Sequence, residues 1–445
     1  MTQKDALNLL KLGHNVYLTG PAGSGKTHLL NQYIDYLKQQ KVSVGITAST
    51  GIAATHMGGT TIHSWSGMGI KDTITTPEIH DLMKRSYLRK RFLLAKVLII
   101  DEVSMLHAHQ LDIVDAICRG FKRNYEPFGG MQVIMCGDFF QLPPVVKGGE
   151  KPSYVIDAEV WNNMRLQICY LDEQFRQSDR SFLRVLSDIR SGEVNEDTVE
   201  VLSERLDKNP EGYSKPTKLF THNADVDAIN KKELDELKGE SHDFLMVGRG
   251  SPKIVETLRK TCLAPERLSL KVGAQVMFVK NNWDVGYVNG TLGEVIGFDK
   301  EGHPKVRTFD GAEIIVDASS WEVKEDPATG SGQGNVVAAI SQIPLRLAWA
   351  ITVHKSQGMS LDAAEVDLSR SFVPGQGYVA LSRLRNLNGL RLMGMNNIAL
   401  TVNPDIAEVD RDFLKRSDEA MLMIANMEKE KMQKMQDDFL TFIKK

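Results

Sequence analysis

The sequence predicts an α/β protein with at least two cores, the first built on a parallel sheet with helices on both faces. Three observations lead there. Gly20-Pro-Ala-Gly-Ser-Gly-Lys26-Thr27 follows an apolar strand ending at Thr19 and opens a helical stretch through Leu29, Leu30, Tyr33, Ile34 and Leu37. Short apolar segments at 16–19, 42–47, 97–100 and 133–136 alternate with helical stretches, as strands buried on both faces do. At 445 residues the chain exceeds the size, about 250–300 residues, at which one core stops growing.

The first element fixes the energy source. In a Gly-x4-Gly-Lys-Thr loop, Pro21, Ala22, Gly23, Ser24 and Gly25 turn backbone N–H groups inward around the β- and γ-phosphates of a nucleotide. Lys26 adds a point charge, the Thr27 hydroxyl ligates Mg²⁺, and His28 closes the nucleotide-binding segment at the start of the helix. A glycine-rich turn with an incidental lysine is the alternative, and the strand before and helix after weigh against it.

Bulk properties exclude several classes. Apolar and charged fractions of 42% and 25% are those of a globular protein. No apolar run reaches bilayer-spanning length, and Met1-Thr-Gln-Lys-Asp-Ala lacks a basic start followed by an apolar core, so an intracellular protein without membrane contact is expected, cytoplasmic (nucleoid-associated) if bacterial. Cysteines 118, 136, 169 and 262 form no Cys-x-x-Cys pair, which argues against zinc or a disulfide framework. A net charge of −3 means that any polyanion must be met by a local groove.

In such sheets ligands bind at the carboxyl ends of the strands. Lys96-Val-Leu-Ile-Ile-Asp101-Glu102 ends its strand in two carboxylates, Asp101 to hold Mg²⁺ and Glu102 to orient and deprotonate the attacking water. Gly137-Asp138-Phe139-Phe140-Gln141 closes the next strand and puts Gln141 near the γ-phosphate or its water, continuing into the stiff Leu142-Pro143-Pro144. The hydroxyl-rich stretches 47–54 and 59–63, with Ser49, Thr50, Thr60, Thr61 and His63, suit contacts to a phosphate backbone. Helix capping by Ser49 or Thr50 is the other reading, and one residue can do both.

After Gly192 the pattern restarts, with a strand at 217–221 and a capped helix at 222–230. Segments 276–279, 291–298, 305–309 and 313–316, between Gly-, Asn- and Asp-rich turns, predict a small β-barrel inserted into the second core. The chain returns through Thr352-Val-His354-Lys355-Ser-Gln-Gly358 and Tyr378-Val-Ala-Leu-Ser382-Arg383. From 405 to 445, apolar residues at helical spacing predict one or two helices, with Met421, Met423, Met427 and Met432 as a packing stripe.

Taken in order, the phosphate loop, 47–54, Asp101-Glu102, 137–144, Glu173-Gln-Phe-Arg176-Gln, 352–358 and 378–383 resemble the motifs of superfamily-one helicases. The stretch from Ile117 to Asp138 resembles the signature of the petite-integration-frequency family of 5′ to 3′ DNA helicases, related to RecD-like helicases; the likeness covers residues 3 to 394. It implies two RecA-like P-loop NTPase domains: the first at 1–175 with a duplex-parting wedge near 64–95, the second at 176–269 and 326–404. Residues 270–325 would form an SH3-like barrel, followed by the 405–445 tail.

By the same resemblance Gln3 reads the adenine edge, Arg176 and Arg383 reach the γ-phosphate, and Gly358 belongs to the nucleotide site. Phe139, Pro143, Thr60, His63, Thr221, Asn223, Thr352, His354 and Lys355 line a single-strand track. The implied function is ATP-dependent translocation on single-stranded DNA and unwinding of duplex or forked DNA, in replication, repair, recombination or telomere-type maintenance. A monomer able to pair on DNA is expected. The rivals are a passive single-strand binder with a vestigial nucleotide site, an RNA track, and a GTPase-type switch, whose nearest Asn-Lys-x-Asp string, Asn230-Lys-Lys-Glu233, ends in the wrong residue.

Overall fold

A computed structural model of the chain describes residues 1–444 except 70, 145, 147–150, 178, 211–215, 221–225, 283, 310, 325–335, 354, 355, 357 and 358. By contact the chain divides into two compact units, 1–175 with 323–337 and 408–445, and 176–322 with 338–407.

The first unit begins with α1 (Gln3–Lys11), capped by the Thr2 side chain, and continues through β1 (Val16–Thr19), α2 (Lys26–Gln39), β2 (Val44–Ala48) and α3 (Gly51–His56). Then come β3 (Thr60–Thr61), α4 (Ile62–Ser66), α5 (Thr76–Met83), α6 (Ser86–Leu94), β4 (Val97–Asp101), α7 (Ala108–Lys122), β5 (Gln132–Cys136), α8 (Glu159–Asn163) and β6 (Gln167–Tyr170). The six strands form one sheet in the order β3-β2-β4-β5-β1-β6, parallel at every pair. All residues of β1, β4 and β5 are buried, which is why these segments read as unbroken apolar runs.

Helices are tied to this sheet by polar as well as apolar contacts. The buried Gln132 amide donates to the Leu10 and His14 carbonyls at 2.8 and 2.9 Å and accepts from the Tyr33 hydroxyl at 2.8 Å, joining α1 and α2 to β5. In the stretch expected to hold a wedge, Trp65 packs edge-on to Phe92, which stacks on Phe121 of α7 at 4.3 Å. Tyr87 and Leu93 stay exposed there.

The second unit carries α9 (Arg180–Ser191), α10 (Glu196–Ser203), β7 (Thr217–Phe220), α11 (Val226–Glu236), β8 (His242–Leu245), β9 (Val247–Gly250), α12 (Pro252–Thr261) and β10 (Arg267–Leu270). Five antiparallel strands follow in the order β14-β13-β12-β11-β17: β11 (Gln275–Phe278), β12 (Leu292–Phe298), β13 (Pro304–Thr308), β14 (Glu313–Ile315) and, after β15 (Ser319–Lys324) and β16 (Val336–Gln342), β17 (Leu345–Leu347). Their core includes Val276, Phe278, Val295, Val306 and Leu345.

A second parallel sheet, β18-β7-β19-β20, is made by β18 (Ala350–Thr352), β7, β19 (Ala364–Leu368) and β20 (Leu390–Met395), with α13 (Gln376–Leu381) before its last strand. The chain ends in α14 (Pro404–Ala425) and α15 (Lys429–Lys444). From residue 408 this tail groups with the first unit: Ala420, Ile424 and Ile443 are buried there, and Met423, Met427, Met432 and Phe439 pack against them. Met421 departs from the expected stripe and points to solvent. Cys118, Cys136 and Cys169 are buried free thiols, Cys262 a half-buried one.

Gln132→Ala leaves the Leu10 and His14 carbonyls and the Tyr33 hydroxyl without this partner, and is expected to cost about 1–3 kcal/mol. A urea-unfolding midpoint unchanged from the parent chain would contradict it.

Candidate nucleotide site

The phosphate loop joins β1 to α2. Gly25 stands before the helix with φ +81° and no side-chain cap, a conformation costing a residue with a Cβ about 1–2 kcal/mol. The Lys26 ammonium folds back over the loop, donating to the Gly20 and Pro21 carbonyls at 2.8 and 3.0 Å. Ser24 is wholly buried and its hydroxyl has no hydrogen-bond partner among the described residues, an orphan polar atom inside the cradle. Thr27 and His28 are exposed at the first turn of α2, His28 hydrogen-bonded to Gln32. Amide donors, an ammonium and an uncommitted hydroxyl suit a polyphosphate.

Gln3 arrives from α1. Its amide nitrogen lies 3.4 Å from the Ser24 carbonyl, and a Cβ on Gly25 would fall 2.1 Å from that nitrogen and 3.2 Å from the Phe175 ring. Phe175 is 64% exposed, yet its backbone N–H is fixed on the Gly23 carbonyl at 3.0 Å. An amide edge beside an open aromatic face suits a purine. Phe175 sits inside Glu173-Gln-Phe-Arg176, a motif in which the sequence singles out only the arginine.

The two carboxylates end β4. Burial pushes the Asp101 carboxyl up, opposed by hydrogen bonds from the Cys136 thiol and the Glu102 N–H and by the charge of Lys26. Glu102 has φ 53°, left-handed for a residue with a side chain, so the backbone turns sharply where the strand stops. Ser49 N–H donates to the Asp101 carbonyl at 3.0 Å and Ser49 Oγ to the Glu102 carbonyl at 2.7 Å, tying this turn to the end of β2. Asp101 with Thr27 offers hard oxygen donors, a set that fits Mg²⁺.

At the end of β5, Gln141 is buried with its amide donating to Asp138 at 3.3 Å; Asp138, fully buried, also accepts the Phe140 N–H at 3.2 Å. Asp138 is a positioning residue that sequence spacing did not single out. The expected place of Phe139 on the single-strand track is corrected by its burial. The ring is 3% exposed, packed with Tyr17 at 5.3 Å and with Tyr154 and Trp161. Its neighbour Pro143 is half-buried.

In the second unit Arg176 and Arg383, 207 positions apart, meet at one residue. Arg176 donates to the Ser382 carbonyl at 2.9 Å, Gln177 to the same oxygen at 3.1 Å, and Arg383 to the Ser382 hydroxyl at 2.9 Å. Arg383 also donates to the Val379 carbonyl at 3.0 Å. Asp179 caps α9 and accepts the Leu387 N–H. Ser382 and Gln177 are sequence neighbours of the two arginines, and no local pattern marks them as a junction.

Of the track residues, the Thr50 hydroxyl accepts the Ala53 N–H, the capping alternative, and the Thr61 hydroxyl accepts that of Ser64. Thr60 pairs with Thr47 at the sheet edge. His63 is held below its ordinary pKa by burial, opposed by a hydrogen bond with Gln110. Thr352 is 1% exposed, which corrects its expected place on a track surface. Thr221, Asn223, His354, Lys355 and Gly358 lie outside the described residues.

Comparison with known proteins adds the family. Residues 2–200 match the family model described as PIF1-like helicase, and residues 253–298 that of the DNA helicase Pif1 2B domain. The ATP-dependent DNA helicase Pif1 of Psychrobacter sp. strain PRwf-1 is 41% identical over 99% of this chain and 75% of its own length. The structure of Bacteroides sp Pif1 in complex with ADP-AlF4 is similar with a TM-score of 0.80 and 31% identity, covering 93% of this chain and 96% of that one. A Bacteroides Pif1 structure with ADP-AlF3 and ssDNA has a TM-score of 0.62 at 31% identity, covering 93% and 96%.

Gly25→Ala would put a methyl group 2.1 Å from Gln3 Nε2 in a left-handed backbone. Affinity for a fluorescent adenine nucleotide is expected to fall about tenfold, the equivalent of 1.4 kcal/mol. An unchanged titration midpoint would contradict the placement.

Proposed function

The chain belongs to the PIF1-like helicase family, and from that premise we propose that it is an ATP-dependent DNA helicase that moves 5′ to 3′ along single-stranded DNA and parts the duplex ahead. The observation that carries this reading is the convergence of Lys26, the Asp101-Glu102 pair and Gln141 at one end of a single parallel sheet, the strand ends at which such sheets bind ligands. Two RecA-like domains supply the scaffold.

Each residue has a task in this reading. Lys26 and the loop N–H groups hold the β- and γ-phosphates, Gln3 and Phe175 orient the base, and Glu102 takes the proton of the attacking water. Mg²⁺, when bound by Thr27 and Asp101, neutralises phosphate charge. Gln141, steadied by Asp138, senses the γ-phosphate. Arg176 and Arg383 meet the charge that develops there, a contribution worth about 10³–10⁵ in rate where arginines act this way.

Hydrolysis is needed because binding alone gives no direction. Opening a base-pair step costs about 1.4 kcal/mol and stacking a freed base on an aromatic returns about 1–3 kcal/mol, so a passive binder can also trap open DNA. Ser49, Thr60 and His63 support a strand contact on the first unit. Residues 64–95 and the five-stranded β11–β17 sheet stand for the wedge and the SH3-like subdomain. No helix among the described residues is long and apolar enough to cross a membrane.

An unwinding assay with 5′-tailed and 3′-tailed duplexes, with and without ATP, should show ATP-dependent opening of the 5′-tailed substrate only. Lys26→Ala should keep single-strand binding and lose both ATP hydrolysis and unwinding. Unwinding that survives Lys26→Ala favours the passive binder, and preference for a 3′ tail refutes the polarity.

A further inference from the structure

Three segments leave the first sheet toward the nucleotide site: the phosphate loop after β1, Gly137–Gln141 after β5, and the Leu171–Phe175 stretch after β6. Each has an aromatic residue at or near its root, namely Tyr17, Phe139 and Tyr170. All three are held by one face of α14. Asp410, Phe413 and Ser417 are spaced three and four apart, so they share that face.

The contacts are specific. Phe413 is 3% exposed, with its ring 5.1 Å from Tyr17, 6.2 Å from Phe139 and 6.3 Å from Trp161. The Tyr17 hydroxyl in turn donates to the Gly137 carbonyl at 3.2 Å, linking the strand of the phosphate loop to the root of the Gln141 segment. On the outer edge of the sheet the Tyr170 N–H donates to the Ser417 hydroxyl at 3.1 Å, and the Tyr170 hydroxyl to Asp410 at 3.0 Å. Arg416 adds a bond to the Leu166 carbonyl at 2.8 Å. β6 is an edge strand, and α14 satisfies backbone groups that a further strand would otherwise take.

We infer that α14 is a positioning element of the nucleotide site, with Phe413 as its central residue, Asp410 and Ser417 as its tethers, and the registry of Lys26, Gln141 and Phe175 as what it sets. The inference rests on the helicase reading above. It gives the tail a part in turnover, where sequence periodicity assigned it packing alone. The ring-sized gap left by Phe413→Ala lets Tyr17 and Phe139 relax into it, and the two loops they root then move relative to each other. Such displacement is felt more in the transition state than in ground-state binding, because phosphate affinity comes from N–H groups within one loop whereas catalysis needs Gln141 and Glu102 in register with it.

The test is steady-state ATP hydrolysis stimulated by single-stranded DNA, for the parent chain, Phe413→Ala, Phe413→Leu and Ser417→Ala, with Lys26→Ala as the zero. For Phe413→Ala, kcat should fall about tenfold while KM for ATP moves less than about threefold, the mark of an interaction expressed in the transition state. Affinity for single-stranded DNA without nucleotide should stay at the parent value, and Phe413→Leu, nearer in volume, should recover most of kcat. Should Phe413→Ala not fold, Ser417→Ala carries the test, with the same kcat loss at smaller size. If kcat measured well below the melting temperature stays within about twofold of the parent for a folded variant, however far that temperature drops, the tail is only structural and the inference falls. A parent chain that hydrolyses no ATP overturns the helicase reading itself, a result distinct from parent-like variants.

Discussion

The register of β1 is the constraint on which the nucleotide end of the first unit depends. Val16 pairs with Ile134 on one side and Gln167 on the other, so Leu18 stands level with Cys136 and Thr19 with Tyr170. The three strands therefore stop together, and the loops that follow start from one plane. A slip of a single residue would turn every side chain of the strand to the opposite face. Burial of all four β1 residues makes that slip costly, so the phosphate loop inherits its place from apolar packing several ångströms away.

Charge is handled at this end by short-range pairing within each loop. Lys26 is held by carbonyls of its own loop, Asp138 by the N–H of Phe140 and the amide of Gln141, and Asp101 by the N–H of its neighbour. Such local bonds offset part of the cost of burying a carboxylate or ammonium, with the Cys136 thiol and the Lys26 charge adding to them at Asp101. They also leave Ser24 Oγ, in the phosphate loop, without a hydrogen-bond partner among the described residues.

Much of this was legible in the sequence, and the reasons are physical. β1, β4 and β5 are buried on both faces, so their apolar runs announce them, and the glycines of the phosphate loop mark the turn. β11 to β14 lie close to the segments their turn residues outlined. The second parallel sheet was outlined only at β7, within the expected strand 217–221, and the edge strand β6 left no signal, because Gln167-Ile-Cys-Tyr170 carries neither alternation nor flanking glycine. Phe139, placed on the strand track by its motif, is core instead, and only the positions of Tyr17, Trp161 and Phe413 reveal it. Ser382 and Gln177 were invisible as a junction, since no local pattern encodes a bond spanning 205 positions.

Glu102 illustrates a conflict that the chain tolerates. Its φ of 53° is a conformation a glycine would adopt without strain, and an asparagine with less. A search for thermostable variants would favour either substitution, and either would delete the carboxylate at the strand end. With Glu102 as the base proposed above, durability and turnover pull this position in opposite directions, and selection for heat resistance alone would drift toward a protein that binds nucleotide without splitting it.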